Sequence, residues 1–203
     1  MPRAVREQLI LDVAGQVFAR SGFHAGSMDE IASLAGVSKP MLYAYFGSKE
    51  GLYLAYIDRN GRELLDRLLG AAGTHQSPVE RLRARITEFL AFVEEHRDGW
   101  TVLFREAASS QPLADQVAVL RSQITDAVRR MLDSPVPPAL DDSDADAIAH
   151  MIVGAGESLA NWWLDRPEIG RDDAAERYVE LVQAVVGAAL RRKEAGRPRA
   201  GRG

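Results

Sequence analysis

The side chains best suited to chemistry lie between residues 27 and 49, and their types favour recognition over bond making. Lys39, Tyr43, Tyr45 and Lys49 place ammonium and hydroxyl donors in one short segment. Such donors bind phosphate oxygens, and a lysine also binds the acceptor edge of guanine in the major groove. The segment therefore indicates contact with nucleic acid.

No arrangement of residues typical of catalysis or metal binding accompanies this segment. The sequence has no cysteine, which excludes disulfides, thiolate catalysis and cysteine–metal sites. Ser158 lacks the full Gly-x-Ser-x-Gly pattern of a nucleophile elbow, because Ala160 follows it in place of the second glycine. No two histidines have the i, i+4 spacing of a helical metal site. The four histidines are His24, His75, His96 and His150. We expect no catalytic residue, no metal and no cofactor.

Two short helices joined by a tight turn are predicted to position the donors. Ser27 and Glu30 form a capping box, which is a usual helix start. Gly36 permits the sharp reversal that follows, and Ser38 can cap a short helix over residues 39–46. This spacing is typical of a DNA-reading helix-turn-helix.

Apolar residues divide the segment into a buried and an exposed face. The buried face is predicted to comprise Ile31, Ala32, Ala35, Val37, Leu42 and Phe46. The exposed face of the second helix is then Lys39, Pro40, Met41, Tyr43, Ala44 and Tyr45, with its N-terminal residues toward the bases. A second interpretation stays open, in which the two tyrosines are half-buried core aromatics and Lys49 is a solvated helix-start residue.

Almost the whole chain has helical periodicity, and no segment alternates usefully like a strand. The first helix is predicted over residues 3–20, with Gly22 left-handed behind it. A long fourth helix runs from Ser48 to Gly70 and could act as a lever between two sites. Later helices are predicted over residues 77–96, 100–108, 112–132, 144–164 and 172–192. The predicted fold class is all-α with about nine helices.

Charge is distributed unevenly along the chain. The net charge is −4, yet residues 1–50 are neutral and residues 191–203 carry +5, which leaves −9 between them. An acidic middle repels DNA, so DNA contact must come from the N-terminal part. Residues 195–203 are predicted to be a disordered basic tail, with nonspecific DNA attraction as the alternative. Arg3 and Arg6 belong either to a frayed terminus or to an arm that reaches DNA.

The N-terminal segment resembles the tetracycline-repressor (TetR) family of transcriptional regulators. The resemblance is dense over residues 1–57, and beyond them it extends only to helix order and length. The matching residues are Phe23, Ser27, Ile31-Ala32, Ala35-Gly36-Val37-Ser38, Leu42-Tyr43, Tyr45-Phe46, Lys49 and Leu52. It implies a helix-turn-helix DNA-binding domain over residues 1–47 and a helical ligand-binding and dimerisation domain over residues 48–203.

The resemblance also implies roles for individual residues. Positions that usually contact phosphate are matched by Ser27, Met28, Tyr43, Tyr45 and Lys49. Base-facing positions are matched by Lys39, Pro40, Met41 and Ala44. Histidine is commoner than tyrosine at the Tyr45 position, although a tyrosine hydroxyl can also donate to phosphate.

The implied function is that of a repressor, which binds a pseudo-palindromic operator as a homodimer and is released by a small-molecule effector. The alternative is a helical small-molecule-binding protein that has lost specific DNA binding, which the neutral N-terminal part would fit. An enzyme built in a helical bundle is a remote third reading. We expect a cytoplasmic protein without a membrane segment, because no long apolar run is present.

An effector pocket is expected among apolar and aromatic residues with a few embedded polar groups. The candidates are Phe89, Phe92, Trp100, Phe104, Arg105, His150, Met151, Glu157, Asn161 and Trp162. For each of them, ordinary core packing or solvent exposure is the alternative. Glu157 lies in an otherwise apolar helix, and a buried carboxylate there needs a partner or a cation-like ligand.

The last two predicted helices carry apolar stripes with small residues, which predict a dimer interface. The stripes comprise Ile148, Ile152, Ala155, Leu159 and Trp163, followed by Tyr178, Leu181, Val182, Val185 and Ala189. Two such helices from each subunit would form a four-helix bundle. An intrachain core is the alternative.

Overall fold

The protein is all-helical in the part that its computed structural model describes, which comprises residues 2–71, 77–97, 99–101, 111–132 and 140–196. The all-α prediction is confirmed. Eight helices with described bounds are α1 (Arg3–Ala25), α2 (Met28–Leu34), α3 (Lys39–Phe46), α4 (Lys49–Gly70), α5 (Pro78–Glu95), α6 (Gln111–Leu132), α7 (Asp142–Leu164) and α8 (Arg171–Gly196), and residues 97 and 99–101 are helical as well. None of them combines the length and hydropathy needed to cross a membrane.

Several helix ends differ from the predicted ones. The first helix continues to Ala25 across Gly22, whose φ of 75° and ψ of 166° interrupt it as a kink instead of ending it. The last helix extends to Gly196, so the predicted tail begins inside α8, and residues 197–203 lie outside the described residues. Of the helix predicted over residues 100–108, only residues 100 and 101 are described, and both are helical.

The described residues separate into two compact units. The first lies within Met1–Arg67 and Phe92–Leu120, and the second within Leu68–Ala91 and Arg121–Gly203. The first unit contains the whole predicted helix-turn-helix. The second contains α7 and α8, which pack against each other.

The first three helices enclose the apolar centre of the helix-turn-helix. Phe18, Ile31 and Leu42, one from each helix, are completely buried. Ser27 caps α2, since its hydroxyl oxygen accepts from the backbone N–H groups of Asp29 at 3.2 Å and Glu30 at 3.4 Å. Helices of seven and eight residues are too short to be stable alone in water. They therefore depend on this packing and these caps.

An aromatic cluster joins α1 to α4 beneath the helix-turn-helix. The ring of Tyr53 meets those of Phe18 and Phe23 edge to face, at centroid distances of 5.1 and 5.0 Å. All three side chains are buried. Such pairs add about 0.5–1.5 kcal/mol each beyond the burial of their area. The cluster fixes the start of α4 against the end of α1.

In the second unit, α8 has an apolar contact and an ion pair with α7 and a further ion pair with α5. Ala149 of α7 and Ala174 and Val179 of α8 have no exposed surface. Arg83 of α5 forms an ion pair with Glu176 of α8. Arg192, near the end of α8, forms an ion pair with Asp144 at the start of α7, with 2.7 Å between the guanidinium nitrogen and the carboxylate oxygen. These contacts fix the two long helices side by side within one chain.

The joint between α3 and α4 requires close approach of two backbones. Ser48 caps the new helix, because its hydroxyl oxygen accepts from the N–H of Gly51 at 2.9 Å. A Cβ atom on Gly51 would lie only 2.0 Å from the carbonyl oxygen of Phe46. Backbone cannot swing aside as a side chain can, so glycine at this position lets α3 end directly on α4.

We therefore expect Gly51→Ala to destabilise the protein by about 1–3 kcal/mol, the usual cost of overpacking, or to displace α3. The matched control is Gly70→Ala at the other end of α4, where an added Cβ has no neighbour within 4 Å. Chemical denaturation followed by circular dichroism measures both variants. Equal stability of the two alanine variants would contradict this account of the joint.

Candidate nucleic-acid interface

Helix α3 has one buried side and one exposed side, as the sequence pattern predicts. Leu42 is completely buried, whereas the neighbouring Tyr43 is 42% exposed. Lys39, Pro40 and Ala44 are also exposed, and Met41 is half-buried. The N-terminus of α3 is capped by Ser38, whose hydroxyl oxygen accepts from the N–H of Met41 at 3.3 Å. The base-facing set of the sequence analysis thus lies on one side of a capped helix.

The two tyrosines of α3 differ in environment. The ring of Tyr43 is too exposed to be a core aromatic. Tyr45 is half-buried, because its ring lies between Phe46, at a centroid distance of 6.0 Å, and the guanidinium of Arg3, at 4.9 Å. Arg3 is the first residue of α1, so the start of the chain lies beside the same surface. Helical periodicity does not indicate this contact between the two ends of the segment.

Three other predicted phosphate contacts have structural roles in the free protein. Lys49 donates from Nζ to the carbonyl oxygen of His24 at 2.8 Å, and its ammonium lies 5.0 Å from the centre of the Phe23 ring. Met28 is only 6% exposed, so its backbone N–H, not its side chain, is left for a phosphate. The oxygen of Ser27 serves as the cap of α2, while its O–H can still donate.

Charges on the interface are paired within the chain. The Nζ of Lys39 donates to a carboxylate oxygen of Asp29 on α2 at 2.8 Å, and this hydrogen bond raises the pKa of Lys39. Arg20 of α1 pairs with Glu30, the glutamate of the predicted capping box. The carboxylate of Glu30 therefore stabilises the contact of α1 with α2. Sequence spacing did not indicate either partner.

Arg59 of α4 is a functional candidate that the sequence analysis missed. Its guanidinium reaches α1, where it donates to the carbonyl oxygen of Gln8 at 3.3 Å, to the side-chain oxygen of Gln8 at 3.2 Å and to Asp12 at 2.7 Å. It also lines an open cleft of about 430 Å³ between these helices. Arg59 thus couples the middle of α4 to the first helix of the predicted DNA-binding domain.

The predicted effector-site residues are divided between the two units. Phe92 and Trp100 are buried in the first unit, and Phe104 and Arg105 lie outside the described residues. The others belong to the second unit, where His150 and Met151 are exposed and Phe89, Glu157, Asn161 and Trp162 are half-buried.

Glu157 has the partner that its position requires. Both of its carboxylate oxygens accept from Arg121 of α6, each at 2.8 Å, and the glutamate side chain is 18% exposed. This bidentate bond raises the pKa of Arg121. A cation-like ligand is therefore unnecessary to compensate the carboxylate. Arg121 lies 36 residues away, beyond the reach of helical spacing rules.

A polar network that the sequence analysis did not foresee surrounds Phe92. Arg67 binds Glu63 and Glu95, both at 2.7 Å, and its guanidinium lies 5.7 Å from the Phe92 ring centre. His96 meets the edge of the same ring at 4.3 Å, and its Nε2 lies 3.3 Å from Glu63. Burial lowers the pKa of His96, which favours its neutral imidazole at pH 7. The network as a whole joins α4 to the end of α5.

The predicted dimer residues divide between two sides of α7 and α8. Five are buried within the chain: Ile148, Trp163, Tyr178, Val182 and Ala189. Ile152, Ala155, Leu159 and Val185 are half-buried, and Leu181 is 48% exposed. Burial within the chain leaves the first five no surface for a partner.

Comparison with known protein families gives two matches. Residues 10–56 match the family described as bacterial regulatory proteins, tetR family. Residues 78–187 match the family described as tetracyclin repressor-like, C-terminal domain.

Individual relatives agree with these matches. The chain is 37% identical over 184 residues to the HTH-type transcriptional activator FasR of Mycolicibacterium smegmatis, covering 89% of this chain and 83% of that protein. A TetR-like regulator from Rhodococcus sp. RHA1 superposes with a TM-score of 0.75 at 40% identity, covering 92% of this chain and 99% of that one. FadR of Bacillus subtilis, solved in complex with stearoyl-CoA, has a TM-score of 0.74 at 19% identity, covering 86% of this chain and 96% of that one.

Proposed function

This chain belongs to the TetR family of DNA-binding transcriptional regulators, and from that premise we propose that it binds a pseudo-palindromic operator as a homodimer whose occupancy is set by a small-molecule effector. The observation that carries the DNA-binding part is the orientation of α3. Leu42 is fully buried, while Lys39 and Tyr43 are exposed at the surface of the same helix. A capped helix with this orientation can enter a major groove with its N-terminal residues toward the bases.

The proposed reading mode relies on one cation and several apolar groups. Lys39 is the only charged residue of α3, and its ammonium can bind the O6 and N7 acceptors of guanine. Pro40, Met41 and Ala44 offer apolar contact to thymine methyl groups. Tyr43 and Tyr45, with the backbone N–H groups at the start of α2, would contact phosphates on either side.

The first test is Tyr43→Phe, which removes one hydroxyl from an exposed ring and leaves the core intact. A lost hydrogen bond to a charged phosphate, worth about 1.5–3 kcal/mol, should weaken binding about tenfold to 150-fold. The loss should be the same on operator and unrelated DNA, because a phosphate contact carries no sequence information. Fluorescence anisotropy with DNA from the upstream region of its own gene measures both affinities, and thermal unfolding checks the fold. Unchanged binding to both DNAs would exclude Tyr43 as a phosphate contact.

The operator-binding proposal would be wrong if the wild-type protein showed only nonspecific affinity for DNA upstream of its gene and for every fragment in a genome-wide selection. The remaining interpretation would be a helical ligand-binding protein that has lost specific DNA binding. A saturable complex with one fragment that is tighter than the complex with unrelated DNA would exclude that alternative.

The dimer is proposed to form through the outer sides of α7 and α8. Met151 and Leu181 are 50% and 48% exposed, and Gly154, Ala184 and Ala188 are exposed beside them. These small and apolar residues permit the close approach of helices in a four-helix bundle. The half-buried members of the predicted stripes, such as Ala155 and Val185, lie at the edge of this surface. A twofold axis would place each residue near its copy.

Leu181→Glu is therefore expected to convert the dimer into monomers at micromolar concentration, because two carboxylates would be brought together in an apolar contact. Val119→Glu is the matched control, since Val119 on α6 is 50% exposed and lies outside the proposed interface. Analytical ultracentrifugation measures the mass of both variants. A dimeric L181E variant, or an equal effect of V119E, would rule out this surface.

The effector class is proposed from the relatives. FadR of Bacillus subtilis was solved in complex with stearoyl-CoA, so a long-chain acyl-CoA is the first candidate effector for this chain. The direction of control is a separate matter, since the FasR relative is named a transcriptional activator. Repression thus stays a prediction, and we propose only that the effector changes the occupancy of the operator.

Stearoyl-CoA is expected to lower operator affinity, because the ligand would bind the DNA-free form better. The coupling is reciprocal and typically amounts to about 5–150-fold. Titration into the preformed complex, followed by anisotropy, measures the release, and isothermal calorimetry with and without operator measures the reciprocal loss. Coenzyme A without its acyl chain is the control. No heat of binding and no change in occupancy would exclude this effector class.

A further inference from the structure

The ammonium of Lys39 has a partner already in the free protein. Lys39 is the first residue of α3, and its Nζ lies 2.8 Å from the carboxylate of Asp29 on α2. Asp29 belongs to the first turn of α2, the helix end that faces phosphate in the proposed complex. Its side chain is 71% exposed, and that of Lys39 is 45% exposed. The reading surface thus carries a carboxylate beside its one base-reading cation.

A carboxylate at this position opposes DNA binding in two ways. It repels the phosphate backbone, and it neutralises the cation that would otherwise bind any phosphate. An aspartate in the first turn also stabilises its own helix through the helix dipole. That structural role does not require a lysine opposite, however, and Glu30 in the same turn fulfils it as well.

We propose that Asp29 is a specificity-determining residue, which holds Lys39 back on unrelated DNA and releases it only where a base offers matching acceptors. This inference rests on the proposed DNA-binding function. Exposed ion pairs contribute little free energy, so Lys39 exchanges readily from Asp29 to the two acceptors of a guanine. On unrelated DNA the pair stays closed. The difference between the two states sets the discrimination, without any new contact from Asp29 to a base.

The chain supplies a matched control in the adjacent residue. Glu30 lies in the same turn of α2 and also forms an ion pair, but its partner is Arg20 of α1 instead of a residue of α3. Asp29→Asn and Glu30→Gln each remove one negative charge from the start of α2 and keep the shape of the side chain. Only the first variant frees Lys39. Effects of net charge or of the helix dipole are therefore common to both variants.

The experiment measures anisotropy of the full-length dimer on an operator fragment and on unrelated DNA of equal length, over a series of salt concentrations. Asp29→Asn should raise affinity for unrelated DNA about twofold to fivefold, the range expected for one exposed ion pair. It should steepen the salt dependence on that DNA by about one phosphate contact. Operator affinity should change less, so the ratio of the two affinities falls. Glu30→Gln should leave that ratio unchanged.

A second measurement shows whether Asp29 acts through Lys39. In a Lys39→Ala background, Asp29→Asn should no longer alter the ratio, because the cation that it releases is absent. If D29N alters the ratio equally with and without Lys39, or if E30Q has the same effect, Asp29 is only a repulsive charge and the inference is wrong.

The outcomes also separate this inference from the proposed function. Wild-type protein that prefers its operator, with an Asp29→Asn variant that prefers it equally, overturns the role of Asp29 alone. Wild-type protein without any preference overturns both the operator-binding proposal and this inference.

Discussion

The burial of one side of two very short helices is the constraint on which the rest of the DNA-binding unit depends. Helices α2 and α3 have seven and eight residues, and helices of this length do not persist alone in water. They persist here because Ile31 and Leu42 are completely buried and because a serine caps each N-terminus. With Leu42 buried in this core, Lys39 and Tyr43 remain exposed at the surface. The orientation of the reading face is thus a consequence of core packing and requires no ligand.

Helix α4 extends this constraint beyond the helix-turn-helix. At its start, Tyr53 packs on the aromatic rings of α1, and one and a half turns later Arg59 binds Gln8 and Asp12 of the same helix. An apolar contact and a polar one therefore fasten α4 to α1 on two successive stretches. Interfaces of packed helices have discrete arrangements and do not deform continuously. A displacement of α4 would then carry α1, and with it α2 and α3, as one body. These contacts are the physical basis for the prediction that α4 acts as a lever on the DNA-binding helices.

Local features of the sequence predicted local features of the structure, and contacts distant in sequence were not predictable. The caps at Ser27 and Ser38 and the buried face with Leu42 follow from residue type and spacing within one or two turns, and the structure contains them. The partners of Glu157 and Arg59 are 36 and 47 residues away, where helical periodicity carries no information. The stripes of α7 and α8 illustrate a further limit. An apolar stripe shows that a helix face is covered, but Trp163 and Val182 are covered by their own chain, and a sequence pattern cannot distinguish that neighbour from a second subunit.

The charge pattern of the reading surface explains how a protein with an acidic middle can still act on DNA. Residues 1–50 have no net charge, and the cations near the interface have partners within the chain: Lys39 has Asp29, Arg20 has Glu30 and Lys49 has a backbone carbonyl. Few condensed counterions are then released on binding, so the sequence-independent part of the affinity is small and its salt dependence shallow. In the proposed complex, affinity would come from groups that depend on fit, namely apolar contact with bases and hydroxyl and backbone donors to phosphate. A weakly charged surface favours discrimination over strength, and the proposed homodimer would restore strength, because two half-sites joined in one molecule bind as linked events.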